Sequence, residues 1–164
     1  MKSFWRLFDR AIEAMAVLAG LILVLVTGAV CYTIFLRYLF HKTTIWIAQT
    51  TEYALLWIVF LAATWLLREG GHITTDILHS RLQEKHRRAL DTLTHSVAGL
   101  AAGIMVLFGA WHVLDCLSNH VTDVRAVTVP KGAVFAIIPV GSLFLAFQFF
   151  RLAWNSFLAA RNRR

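Results

Sequence analysis

The chain reads as an all-α integral membrane protein with four transmembrane helices, and three observations carry that reading. Of its 164 residues, 59% are apolar and only 15% charged, against about a quarter charged in soluble domains. The charges gather in gaps between apolar runs, and each run crosses the roughly 30 Å hydrocarbon layer at about 1.5 Å per helical residue. Six Trp and twelve Phe fit the same class, because aromatic rings collect at membrane interfaces and in helix contacts. The sequence predicts a single membrane domain over 1–164, with spans at about 14–36, 45–67, 92–114 and 132–150.

At the N-terminus, Phe4, Phe8 and Ile12 recur at helical spacing with Lys2, Arg6, Asp9 and Arg10 turned away, which predicts a short interfacial helix leading into the membrane. The run 14–36 carries no charge. It is too long for the apolar region of a signal peptide and has no small-x-small cleavage pattern, so it reads as a retained anchor. Ala16 and Gly20 offer a small-xxx-small pair for close helix approach. A polar turn follows from Arg37 to Lys42, and Trp46 marks re-entry. The second span holds one carboxylate, Glu52, and ends at Gly70-Gly71, a helix stop.

Beyond it, Ile73, Ile77, Leu78 and Leu82 recur at helical spacing with Asp76 and Arg81 between them, predicting an amphipathic connector. The third span contains Gly99 and Gly103 as GxxxG. Residues 115–131 read as a polar loop, with Pro130 suited to the first turn of the next helix. Inside the fourth span, Pro139 lacks an amide donor and crowds the carbonyl of Phe135, so a kink is expected there. A basic tail, 151–164, closes the chain.

The net charge is +7, but the basic residues lie in the gaps between spans rather than along one stripe, so no nucleic-acid partner is expected. Of sixteen Lys and Arg, only Arg37, Lys42, Arg125 and Lys131 fall on one side of a four-span arrangement. The other twelve share the side of the termini and the connector. The positive-inside rule places both termini and the connector in the cytoplasm of a multi-pass protein of the bacterial inner membrane.

A carboxylate within a span is costly unless it is paired or faces other protein, so Glu52 is the first functional candidate. An ion-coupling role would need broken helices or a second ionisable partner, and no other span offers an acid. Arg37, at the end of span one, is the expected pairing partner, with a structural or interface role for both. His72, Asp76 and His79 would share a helix face at spacing compatible with a metal. The simpler reading sets Asp76 at a helix N-terminus, where the dipole favours it, with no metal.

His95 and His112 raise the alternative of a haem- or quinone-binding membrane anchor of a redox enzyme, yet they lie on one helix far apart in depth, and bis-histidine ligation needs facing side chains at one level. A self-contained small transporter using Glu52 is a third reading. Cys31 and Cys116 match no disulfide or metal framework. No phosphate loop or catalytic triad order is present, so neither an enzyme nor a cofactor is expected.

Taken together, several of these residues resemble the small membrane subunit of tripartite ATP-independent periplasmic (TRAP) transporters, the DctQ-like family. They are Arg37-Tyr38 after span one, Trp46 and Glu52 at the start of span two, Trp57 and Phe60-Leu61 within it, Arg68-Glu69-Gly70-Gly71-His72-Ile73 with Asp76, then Pro130 and Ile138-Pro139-Val140-Gly141. Two departures stand out: the family often has two adjacent acids where this chain has Thr51-Glu52, and a Gly where it has Ala62. The resemblance implies a non-catalytic scaffold subunit of a sodium-coupled secondary transporter of organic acids. Its implied partners are a large TRAP membrane subunit, a periplasmic solute-binding protein and the lipid bilayer. The implied interface or structural residues are Arg37, Trp46, Glu52, Trp57, Arg68, Glu69, His72, Asp76 and Pro139.

Overall fold

The uncharged runs of the sequence become long helices because an apolar segment in a bilayer must satisfy its backbone hydrogen bonds internally. The computed structural model describes residues 2–41, 45–70 and 84–161, with side chains described over 5–41, 45–70 and 92–154. Its elements are α1 (Lys2–Phe40), α2 (Ile45–Arg68), α3 (Glu84–Ser118), β1 (Thr122–Val124), β2 (Thr128–Pro130), α4 (Lys131–Phe135) and α5 (Ile137–Arg161). Among the described residues, four segments are long and apolar enough to cross a membrane: Trp5–Phe40, Ile45–Arg68, Thr92–Ser118 and Lys131–Trp154. The protein is an all-α, multi-pass membrane protein. The amphipathic connector, with His72, Asp76 and His79, lies outside the described residues.

The N-terminal stretch differs from the expected separate interfacial helix. It is the first part of α1, a continuous helix of 39 residues, about 58 Å long at 1.5 Å per residue. No Gly or Pro interrupts 2–19, so nothing in the backbone breaks the helix there. Its apolar face is covered by protein: Ile12 is fully buried, and Phe8 stacks on Phe144 of α5 with ring centroids 5.5 Å apart.

Helix ends follow local chemistry. Past α2, Gly70 takes φ +76°, and its amide donates to the carbonyl of Leu67, the expected glycine stop. After α3, His120 is left-handed at φ 48°. The amides of Val121 and His120 donate to the carbonyls of Cys116 and Leu117, which is a Schellman arrangement built on histidine instead of glycine.

The expected loop 115–131 is more ordered than its polarity suggests. α3 runs on to Ser118, and β1 and β2 form an antiparallel hairpin pairing Thr122 with Pro130, Asp123 with Val129 and Val124 with Thr128. Pro130 caps α4 from an extended conformation, φ −65° and ψ 119°. The helix hydrogen-bond pattern is interrupted at Ala136, between α4 and α5. That is where Pro139 removes the donor for the Phe135 carbonyl, as the sequence predicts. Ala136 itself stays right-handed helical, so the two segments continue as one span.

α2 packs against both α1 and α5, and α3 packs along α5, so α2 and α5 form the middle of the bundle and α1 and α3 its flanks. One core cluster joins Ala19, Leu61 and Ile137; another joins Leu67, Ala102 and Phe149. The helices approach closely at Gly141, where a Cβ would stand 2.7 Å from Phe60 Cβ and 2.9 Å from its carbonyl oxygen. Gly109 likewise makes room for Ile138 and Pro139. Gly20 and Gly103, halves of the two small-residue pairs in the sequence, have open space around them.

Candidate functional site

Polar side chains gather at the two ends of the bundle. At the hairpin end, three residues of α2 one turn or less apart, Gln49, Glu52 and Tyr53, meet the hairpin. The Gln49 amide nitrogen donates to the Val127 carbonyl at 3.0 Å, and its oxygen accepts from the Val127 amide at 2.9 Å. Gln49 also donates to the Tyr53 hydroxyl at 2.8 Å, which in turn donates to Asp123 at 2.7 Å. Arg125, in the three-residue hairpin loop, joins Glu52 at 2.9 Å and Asp123 at 3.4 Å. Gln49 is 5% exposed, whereas the Glu52 and Arg125 side chains are 61% and 57% exposed.

The expected Arg37–Glu52 pairing is therefore corrected: Glu52 pairs with Arg125. The hairpin carries Arg125 across the end of α2, while Arg37 lines an open recess with Ile34, Tyr38 and His41 at the end of α1. Arg37 and Trp46 are exposed. One turn beyond the network, the Trp57 indole donates to the Val134 carbonyl at 3.1 Å, which ties α2 to α4.

At the other end, where α1 begins and α5 ends, Arg68 is the hub. It donates to the Asp9 carbonyl at 3.2 Å and pairs with Glu13 at 3.2 Å and with its neighbour Glu69 at 3.3 Å. Arg151 of α5 pairs with Asp9 at 2.8 Å and lies 4.7 Å over the Trp5 ring. These contacts bind α1, α2 and α5 together. A guanidinium suits that task, because its planar fork serves several acceptors at once.

Between the two ends, Thr64 and Ser142 are fully buried, and their hydroxyls have no hydrogen-bond partner, as is also true of His95 Nδ1 and Gln148 Oε1. The two histidines of the redox alternative are not brought together. His95 lies beside Phe149 and His112 beside Phe135, about 25 Å apart along α3 at 1.5 Å per residue. Among the described residues, no group of three or more His, Cys, Asp or Glu is placed to hold a metal ion.

Sequence reasoning singled out Arg37, Trp46, Glu52, Trp57, Arg68, Glu69 and Pro139 among the described residues. It missed Gln49, Asp123, Arg125 and the Asp9–Arg151 pair. The hairpin did leave a signal: Val121, Thr122, Val124, Val127, Thr128 and Val129 are a β-branched cluster inside an otherwise polar loop, and such residues favour strands.

Comparison with known proteins bears on what these two polar ends serve. The family described as tripartite ATP-independent periplasmic transporters, DctQ component, matches residues 26–159. The chain is 24% identical over 144 residues to the C4-dicarboxylate TRAP transporter small permease protein DctQ of Vibrio cholerae serotype O1, covering 74% of this chain and 62% of that protein. It is 27% identical over 111 residues to the protein of the same name from Rhodobacter capsulatus, covering 68% of this chain and 48% of that one. The chain thus spans between about half and three fifths of the length of these relatives.

Proposed function

From the premise that the chain belongs to the DctQ component family of tripartite ATP-independent periplasmic transporters, we propose that it is the small, non-catalytic scaffold subunit of a sodium-coupled importer of organic acids. In this reading a large membrane subunit carries the solute and a periplasmic binding protein delivers it. The chain lies in the bacterial inner membrane with both termini in the cytoplasm. The C4-dicarboxylate in the names of both relatives makes a small dicarboxylate the solute to try first.

The observation that carries the scaffold role is the placement of the charges. Every ion pair among the described residues lies at one of the two ends of the bundle, where it pins helices together or holds the hairpin on α2. A coupling site, by contrast, needs charged or carbonyl ligands gathered near mid-membrane. α1 and α3 meanwhile turn apolar faces outward along their lengths, including Val17, Leu21 and Val24 on one and Leu100, Leu107 and Phe108 on the other. Such faces suit a bracing surface for another helical protein. The exposed hairpin-end residues Arg37, Trp46 and Glu52 are proposed to contact the large subunit, and Trp57, Arg68, Glu69 and Pro139 to hold this chain's own shape. His72 and Asp76 are proposed to do the same in the connector.

The test is uptake of a labelled C4-dicarboxylate by vesicles holding the large subunit, with binding protein outside and an inward sodium gradient. Uptake is expected with this chain present and background levels without it. Undiminished uptake without it would overturn the scaffold role, and uptake by this chain alone would favour a self-contained transporter.

A further inference from the structure

At the end of the bundle where α1 begins and α5 ends, the Phe8 ring stacks on Phe144 and meets Phe147 edge-on. Leu7, Phe8 and Ala11 of α1 and Leu143, Phe144 and Phe147 of α5 line a groove of about 300 Å³ with no polar atom on its wall. Leu7, Leu143 and Phe147 are 67%, 44% and 49% exposed, so the groove opens sideways. Its walls lie within the candidate spans Trp5–Phe40 and Lys131–Trp154, so a sideways opening there is accessible to lipid.

Two features say what fills it. The first is the lining: the wall is wholly apolar, which suits a hydrocarbon chain. The second is charge. Arg151 follows Phe147 by one turn on the same face of α5, where its guanidinium lies over Trp5 and is held by Asp9 through one nitrogen. The Arg151 side chain keeps 31% exposure, and a guanidinium has five N–H donors in a fork that matches phosphate. Arg10, three residues from Leu7 and so its neighbour on the helix surface, is exposed as well. Trp5 and Trp154 flank this level, as interfacial aromatics do.

We propose that the α1–α5 groove binds an anionic phospholipid of the bilayer, one acyl chain lying along the groove's apolar wall and the phosphate meeting Arg151 and Arg10. Basic pockets between membrane helices hold anionic headgroups in this way. The lipid covers the open side of the groove and fastens the start of α1 to α5.

The experiment is native mass spectrometry of the full chain in detergent, titrated in parallel with phosphatidylglycerol and phosphatidylcholine, alongside thermal unfolding with each lipid. About thirtyfold more bound phosphatidylglycerol is expected, about fivefold for each of the two cationic contacts to an anionic headgroup, together with a higher unfolding midpoint. Ala11→Phe, which fills the groove, is expected to abolish both effects while leaving the lipid-free midpoint in place. If that variant does not fold, Leu7→Trp at the groove mouth serves instead. Arg151→Gln is expected to cut the preference for the anionic lipid about fivefold, and Arg151→Gln with Arg10→Gln to remove it. Asp9→Asn breaks the same ion pair but spares the guanidinium, and is expected to retain the preference. Equal binding of the two lipids, or undiminished binding to the filled groove, would overturn the proposal. So would near-complete cross-linking of an Ala11→Cys variant to the large subunit in the assembled complex, which would make the groove a protein interface.

Discussion

Gln49 contributes more to the hairpin's attachment than Glu52, although only Glu52 draws attention in the sequence. The Gln49 amide is buried and satisfies both backbone groups of Val127; its removal leaves those groups unpaired, at about 1–3 kcal/mol for each one that water cannot reach. The Glu52–Arg125 pair is more than half exposed on both sides, and such pairs contribute about 0–1 kcal/mol. Gln49→Ala is therefore expected to lower the thermal unfolding midpoint more than Glu52→Ala does, and to speed amide exchange over 121–130. Tryptophan fluorescence melts and hydrogen-exchange mass spectrometry check this, and a larger effect from Glu52→Ala would refute it. The same comparison explains why the pairing was not legible in the sequence. Arg37 and Arg125 are both cations on the side of the bundle where Glu52 lies, and composition does not rank them. The hairpin, 73 residues from Glu52, decides in favour of Arg125.

Among the elements, α2 and α5 depend on a glycine where α3 tolerates a side chain. A Cβ at Gly141 meets the backbone of Phe60 as well as its side chain, and backbone does not move aside cheaply. Gly141→Ala is expected to destabilise the bundle by about 1–3 kcal/mol, the usual range for overpacking. Gly103→Ala, in open space, is expected to be neutral or slightly stabilising because alanine favours helix. Denaturation in a mild detergent compares the two, and equal effects would contradict this account of the packing. GxxxG spacing in α3 picked out Gly99, whose Cβ would touch Phe149, but not Gly109. The spacing rule is blind to what a partner helix brings, here Ile138 and the ring of Pro139.

For the whole molecule, orientation is the property most directly open to test. In a chain with Cys31 and Cys116 replaced by serine, Val124→Cys in the exposed hairpin is expected to react with a membrane-impermeant maleimide on intact cells. Glu69→Cys is expected to react only after lysis, and the opposite pattern would invert the topology drawn from the charge count. The sequence by itself determined the class, the four spans and the stop at Gly70. Each of these rests on hydropathy or backbone chemistry that acts within a few residues. Only the tertiary structure decided that α1 runs unbroken from its first turn, that a hairpin closes over α2 and that Arg125 holds Glu52. It also decided that Arg68 and Arg151 gather the helices at the opposite end. Those outcomes depend on which surfaces meet across dozens of residues, and in a bilayer the many apolar faces are nearly equivalent to lipid. Close packing and a few paired polar groups select among them.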